Sequence, residues 1–188
     1  MSNWKSPAAA RFLTPAVLGL ALDQFVKFWA DANLKTRSID VIPGWLRLEW
    51  TPNHGAALGF FQGYRWMFLI VSVAAIFFLG GLFTTSRRNQ RGYQIILGLL
   101  LAGVLGNMWD RIYLGYVRDM IHILPGRRWP PSIAAHLPAW WSTPELFPWI
   151  FNVADSLLCI GVALMLLHSL FSGSSKTTPA AEPQARQT

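Results

Sequence analysis

The 188-residue sequence is short of cysteine, charge and histidine, and each shortage removes a class of chemistry. A single cysteine, Cys159, leaves no partner for an internal disulfide and no Cys-based metal cluster. It lies in an apolar run, where it is expected as a small buried hydrophobe. Only 13% of the residues are charged. The formal net charge of +7 is not gathered into one face, so no nucleic-acid partner is expected. The four histidines form no metal-binding motif, which argues against metal-assisted hydrolysis. His54 has no carboxylate or histidine at ligand spacing and reads as a surface residue beside a turn. Ser156 has no nucleophile-elbow context, and neither His122 nor His136 is placed by the sequence as its base. No metal and no cofactor are implied.

What the sequence has in excess is apolar surface. Hydrophobic residues make up 53%, with ten tryptophans and twelve phenylalanines. They come in long blocks, the pattern of an integral membrane protein. Four spans are expected, at about 12–30, 66–83, 94–113 and 149–171. They form one domain over residues 1–171 and an all-α polytopic membrane fold. The first run resembles a secretory signal, but it continues past Asp23, Gln24 and Lys27 with no small-residue cleavage site, so it is taken as a span. Residues 172–188 lack apolar periodicity and are expected to be a disordered tail on the cytoplasmic side. Arg87, Arg88 and Arg91 crowd the short loop after the second span. The positive-inside rule then puts both termini in the cytoplasm and segments 31–65 and 114–148 outside.

Two strand signals fall in those outer segments. Residues 39–50 alternate around Pro43-Gly44, and VRDMIHI at 117–123 alternates as well. Residues 125–148 are rich in proline and tryptophan, too long for a simple bundle connection. They are expected to lie on the membrane, with Trp129, Trp140 and Trp141 facing lipid and their indole nitrogens hydrated. Gly98, Gly103 and Gly106 offer small surfaces for helix packing in the third span.

Polar side chains at the edges of apolar spans are expensive and are functional suspects. Asp23 and Lys27 are four apart and can pair along one helix face. Asn107, Asp110 and Arg111 share a face at i, i+3 and i+4. Asp119 follows in the second strand, and Asn152, Asp155 and Ser156 open the last span. In the expected topology all of these except Asp23 and Lys27 converge near the outer surface. Two aspartates meeting there can divide the roles of proton acceptor and proton donor, because like charges at close range push their proton affinities apart. Asn53, with a donor and an acceptor on one amide, suits a peptide backbone. Periodicity alone does not separate a peptidase from a proton-coupled transporter or a structural membrane subunit, since both classes use membrane carboxylates.

The ordered motifs carry a resemblance. They are Asp23 with Lys27, then Asn53-x-Gly55-Ala56-Ala57, then GNxxDR at Gly106, Asn107, Asp110 and Arg111, then VRDM with Asp119, and FNVADS at 151–156. Over roughly residues 12–171 the chain resembles the bacterial lipoprotein signal peptidases, the type II signal peptidases. The resemblance implies a metal-free aspartic endopeptidase of the inner membrane. It removes the signal peptide from diacylglyceryl-modified prolipoproteins by cutting immediately before the lipobox cysteine. It also implies a small extracytoplasmic β-cradle, a monomer, and inhibition by globomycin-type cyclic peptides. By motif, Asp119 and Asp155 are the catalytic pair. Asn53, Asn107, Arg111 and Asn152 position substrate or support the site, with Asp110, Asp23 and Lys27 behind them. The 125–148 loop is longer than the family's usual connection, and the tail lies outside the resemblance.

Overall fold

The computed structural model describes residues 7–55, 64–138, 141 and 143–173. Ala56, Ala57 and Gly59 of the glycine-rich segment, Trp140, and the tail from 174 onward lie outside the described residues. The elements run α1 (Pro7–Asn33), β1 (Ile39–Ile42), β2 (Leu46–Asn53), α2 (Arg65–Thr85), α3 (Arg91–Tyr113), β3 (Val117–Ile123), α4 (Pro131–Ala134), β4 (Ile150–Phe151) and α5 (Val153–Gly173). The helices α1, α2, α3 and α5 are each long and apolar enough to cross a membrane. The architecture is therefore a four-span helical membrane protein with a small antiparallel sheet, ordered β1-β2-β3-β4.

Helix α3 is central. More than half of its most apolar window is buried, against about a tenth for α2 and α5, whose side chains are left facing the lipid. Small residues let its neighbours approach. A Cβ on Gly98 would sit 2.2 Å from the Phe12 carbonyl oxygen, and one on Gly103 would sit 2.6 Å from that of Ala154. Both contacts require glycine, in line with the packing role expected of these positions. At one end of the bundle Phe12 stacks on Phe83 with ring centroids 4.4 Å apart. Near the same end, Arg11 of α1 donates to the Arg88 carbonyl oxygen at 2.9 Å, tying α1 to the arginine loop.

The sheet sits at the other end. β2 and β3 pair antiparallel, with Leu46 opposite Ile123, Thr51 opposite Asp119 and Asn53 opposite Val117. A register shift between Leu48 and Thr51 marks a bulge. β2 thus runs past the expected hairpin limit at 50 and delivers Asn53 to the strand end. The helix of the fourth span, α5, begins at Val153, not at 149, because Ile150 and Phe151 pair with His122 and Ile121 of β3 before the chain turns into it. That pairing brings the start of α5 beside Asp119.

The 125–148 loop folds back on itself through an Arg128–Glu145 bridge. Trp129 and Trp141 differ from the expectation of hydrated indole nitrogens. Trp141 donates its indole N–H to the Glu145 carbonyl at 2.9 Å and packs edge-on against Trp149 and Trp129. The Trp129 indole nitrogen is buried. Self-packing of the aromatic rings withdraws them from water. Cys159 is also a correction: it is exposed on the outer face of α5, since α5 turns only its 154 and 158 side toward α3.

Candidate active site

Asn152 stands between β4 and α5 and caps the helix. Its Oδ1 accepts from the Asp155 N–H at 3.0 Å, and Asp155 Oδ2 accepts from the Asn152 N–H at 3.3 Å. This reciprocal pair is a capping box with an aspartate at the third position. It holds the Asp155 carboxylate against the positive end of the helix. The second Asp155 oxygen accepts from Asn107 Nδ2 of α3 at 2.7 Å.

Asp119 is buried in the middle of β3. Asn152 Nδ2 donates to its Oδ1 at 2.6 Å, and Asn53 Nδ2 donates to its Oδ2 at 2.8 Å. Asn53 reaches it because residues two apart across antiparallel strands are diagonal neighbours on one face. The Asn53 Oδ1 accepts from the Gly55 N–H at 2.9 Å, closing a local turn. Asn152 Nδ2 also donates to Asn107 Oδ1 at 3.2 Å. The two carboxylates, from a strand and a helix start, are thus joined through the amides of Asn152 and Asn107. Burial first, and then the negative charge of Asp155, push the Asp119 carboxyl up to about 7. The amide hydrogen bonds from Asn53 and Asn152 pull the other way.

Asp23, Lys27 and Asp110 form a fully buried layer beneath this pair. Lys27 Nζ lies 2.9 Å from Asp23 Oδ2 and 3.3 Å from Asp110 Oδ2, and it donates to Asn107 Oδ1 at 3.2 Å. Asp23 Oδ1 accepts the otherwise orphaned Ala154 N–H of α5 at 2.8 Å. One ammonium therefore links α1 to α3, and one carboxylate links α1 to the helix that carries Asp155. Gly106 makes the approach feasible: a Cβ there would lie 2.5 Å from Asp23 Oδ2. Arg111 Nη2 donates to the Gly55 carbonyl at 2.9 Å, and its guanidinium lies 4.6 Å from the Phe68 ring centroid.

The shared helix face read from Asn107, Asp110 and Arg111 thus serves three directions. Asn107 turns to Asp155, Arg111 to Gly55, and Asp110 to a residue the sequence reading missed. That residue is Arg118, buried beside Asp119. Its Nη2 donates to Asp110 Oδ1 at 2.7 Å and to Gln24 Oε1 at 2.9 Å, and its Nη1 to Asp31 Oδ2 at 2.9 Å. A cation inside a strand that packs on apolar helices was the available signal. Of the remaining candidates, Ser156 donates to the Asn152 carbonyl at 3.0 Å, and His136 is exposed on the 125–148 loop with its Nδ1 near the Ser132 carbonyl. His54 is exposed as expected, next to the Tyr116 ring. His122 joins Glu49 of β2 to the Phe147 carbonyl of the loop.

Fold and site together define a multi-pass membrane protein with two carboxylates gathered at one end of its helices. A family model described as signal peptidase (SPase) II matches residues 15–171. The chain is 38% identical over 160 residues to a lipoprotein signal peptidase of Latilactobacillus sakei subsp. sakei (strain 23K), covering 82% of this chain and 91% of that protein. It is 34% identical over 157 residues to one from Streptococcus thermophilus (strain CNRZ 1066), covering 81% and 88%. A solved bacterial membrane enzyme, determined by the in meso method at 2.3 Å resolution, superposes with a TM-score of 0.72 at 29% identity, covering 90% of this chain and 93% of that one. The chain belongs to the signal peptidase II family. It is a bacterial membrane peptidase, which decides against the transporter and structural-subunit readings.

Proposed function

We propose that this protein removes the signal peptide from diacylglyceryl-modified prolipoproteins, cutting immediately before the lipidated cysteine, with Asp119 and Asp155 as an aspartic dyad. The observation that carries this reading is the amide-bridged pair, in which one carboxyl is raised to about 7. Near neutral pH such a pair holds one proton and one negative charge. The ionised carboxylate accepts a proton from a water lying between the two acids, and the water oxygen attacks the scissile carbonyl carbon. The protonated acid donates to the developing oxyanion. When the intermediate collapses, the protonated acid gives its proton to the leaving amide nitrogen and the ionised one takes a proton from a hydroxyl of the intermediate, so the dyad again holds one proton. Asn53, Asn107 and Asn152 hold the carboxylates without competing for the proton. Arg111 holds the Gly55 carbonyl at the edge of the site, and Asp23, Lys27 and Asp110 fix the helices beneath. No metal or cofactor takes part. The diacylglyceryl group anchors the cysteine at the membrane, so binding energy remote from the scissile bond becomes orientation at the dyad.

The same reading makes residues 1–171 one peptidase unit, working as a monomer in the inner membrane. Both termini are cytoplasmic and the dyad lies at the outer face, in keeping with the arginine-rich 86–91 loop. Globomycin-type cyclic peptides would compete at the dyad. The test is single-turnover cleavage of a lipidated precursor by purified, folded Asp119→Asn and Asp155→Asn. Each substitution keeps shape but cannot exchange a carboxylic proton, so each is expected to lose at least about 10³-fold in rate. The wild-type product should begin at the lipidated cysteine by mass spectrometry. Near-wild-type cleavage by either variant removes that aspartate from the mechanism. For topology, Lys35→Cys and Asn89→Cys are compared in a Cys159→Ser background. Labelling of position 89 from outside, with position 35 protected, reverses the orientation.

A further inference from the structure

Two grooves meet at Asp155. One, of about 220 Å³, lies between α2, α3 and α5; most of its lining is apolar, and Asn107 and Arg111 are its polar side chains beside Asp155, since the Ser72 hydroxyl is spent on the Phe68 carbonyl. The other, of about 360 Å³, lies on the opposite flank of α5 and is apolar apart from Asp155 itself. Its floor is Cys159 and Ile160, and its roof is Phe147, Trp149 and Phe151. Ser156 contributes little polarity, because its hydroxyl is spent on the Asn152 carbonyl. Through Cys159 this groove continues into a further one of about 400 Å³ along Val162, Ala163 and Leu166. Asp155, Cys159, Val162 and Leu166 follow one helical stripe. From Asp155 to Leu166 it covers roughly 16 Å of helix axis, about the depth of one leaflet of a ~30 Å hydrocarbon core.

The roof is built. Trp149 is packed edge-on by Trp141 and Phe147, with centroids at 4.6 and 5.2 Å. The Phe147 carbonyl is held by His122 Nε2 at 3.2 Å, and the Leu146 N–H donates to the Arg127 carbonyl at 2.7 Å. A helix that merely faced lipid would need no such cover.

We propose that this track is the binding site for an acyl chain of the diacylglyceryl group on the substrate cysteine. The proposal rests on the lipoprotein-processing reading above. The substrate joins two chemically different parts at the scissile bond, a peptide and a lipid, and Asp155 stands between a groove that presents Asn107 and Arg111 and one whose other side chains are apolar save Ser156. The peptide backbone matches the groove that carries Asn107 and Arg111. The acyl chain matches the track that starts at the dyad and descends one leaflet.

Two measurements test it. Cys159→Trp and Val162→Trp fill the track. Denying contact to two or more methylenes should raise KM for a dipalmitoylglyceryl precursor about tenfold, with a much smaller rise for a dibutyrylglyceryl one. Ile70→Trp, on the exposed face of α2, should leave both unchanged. In parallel, a precursor with a diazirine near its acyl terminus is photolysed on Asp119→Asn protein. Crosslinks are expected at Cys159, Val162 and Leu166. Unchanged KM in both tryptophan variants of a cleaving enzyme, or crosslinks confined to α1 or α2, overturns the track and leaves the reaction standing. If wild-type protein does not cut the lipidated precursor, the reaction falls, and the crosslinking pattern decides the track by itself.

Discussion

Asn152 is the residue whose replacement separates the parts of the site. Its amide donates to Asp119 at 2.6 Å and to Asn107 at 3.2 Å, while its oxygen caps the Asp155 N–H at 3.0 Å. Asn152→Ala removes all three bonds. Losing the cap costs about 1 kcal/mol. Losing a hydrogen bond to a charged group costs about 1.5–3 kcal/mol. The second loss acts on the ionised form of Asp119, whose charge the amide stabilises, so the carboxyl moves further above 7. If the whole bond energy enters the proton affinity, the alkaline limb of the pH–kcat profile moves upward by roughly one to two units. Asn152→Ser separates the two effects. Serine is a good helix cap but is too short to reach Asp119, so stability should return while the limb stays displaced. The assay is kcat for a lipidated precursor across pH 5 to 10, alongside thermal unfolding in detergent. An unmoved or lowered limb in Asn152→Ala, or a limb restored in Asn152→Ser, would refute the assignment of Asn152 as the donor that tunes Asp119.

Further outcomes follow from the buried charges and close contacts. Asp119 keeps a proton in the folded state that the unfolded chain releases near 3.8, so folding stability falls as pH rises from about 4 to about 7 and then levels. Asp119→Asn removes that penalty: the inactive variant should melt progressively higher than wild type across this window, and a constant offset would contradict it. Lys27→Met leaves Asp23 and Asp110 facing each other without their shared cation, at a cost of about 3–5 kcal/mol in detergent unfolding. Adding Asp23→Asn should restore part of that loss. Gly106→Ala drives a Cβ against Asp23 and displaces its bond to Ala154, so stability should drop by about 1–3 kcal/mol and turnover should fall with it. Gly80→Ala, with nothing within 4 Å of its Cβ, should be neutral or stabilising by up to about 1 kcal/mol.

The sequence by itself determined the four spans, because a hydrocarbon-length apolar run is a local property that no tertiary contact needs to reveal. It also determined the strand at Val117–Ile123 and the pairing of Asp23 with Lys27, since strand alternation and i, i+4 spacing are local as well. The motifs, read in order, pointed to the family. Only the tertiary structure decided how the polar side chains divide their partners. Asn107 finds Asp155 48 residues away, and Arg118 finds Gln24 94 residues away. Helical spacing put Asp110 on the same face as Asn107 and Arg111, but Arg118 and Lys27 claim its carboxylate and draw it away from the dyad. The start of α5 was set by pairing of Ile150 and Phe151 with β3, and the exposure of Cys159 by which side of α5 meets α3. In each case the deciding term is a bond or contact between residues far apart in the chain. Periodicity names the face a residue occupies, and packing chooses what that face meets.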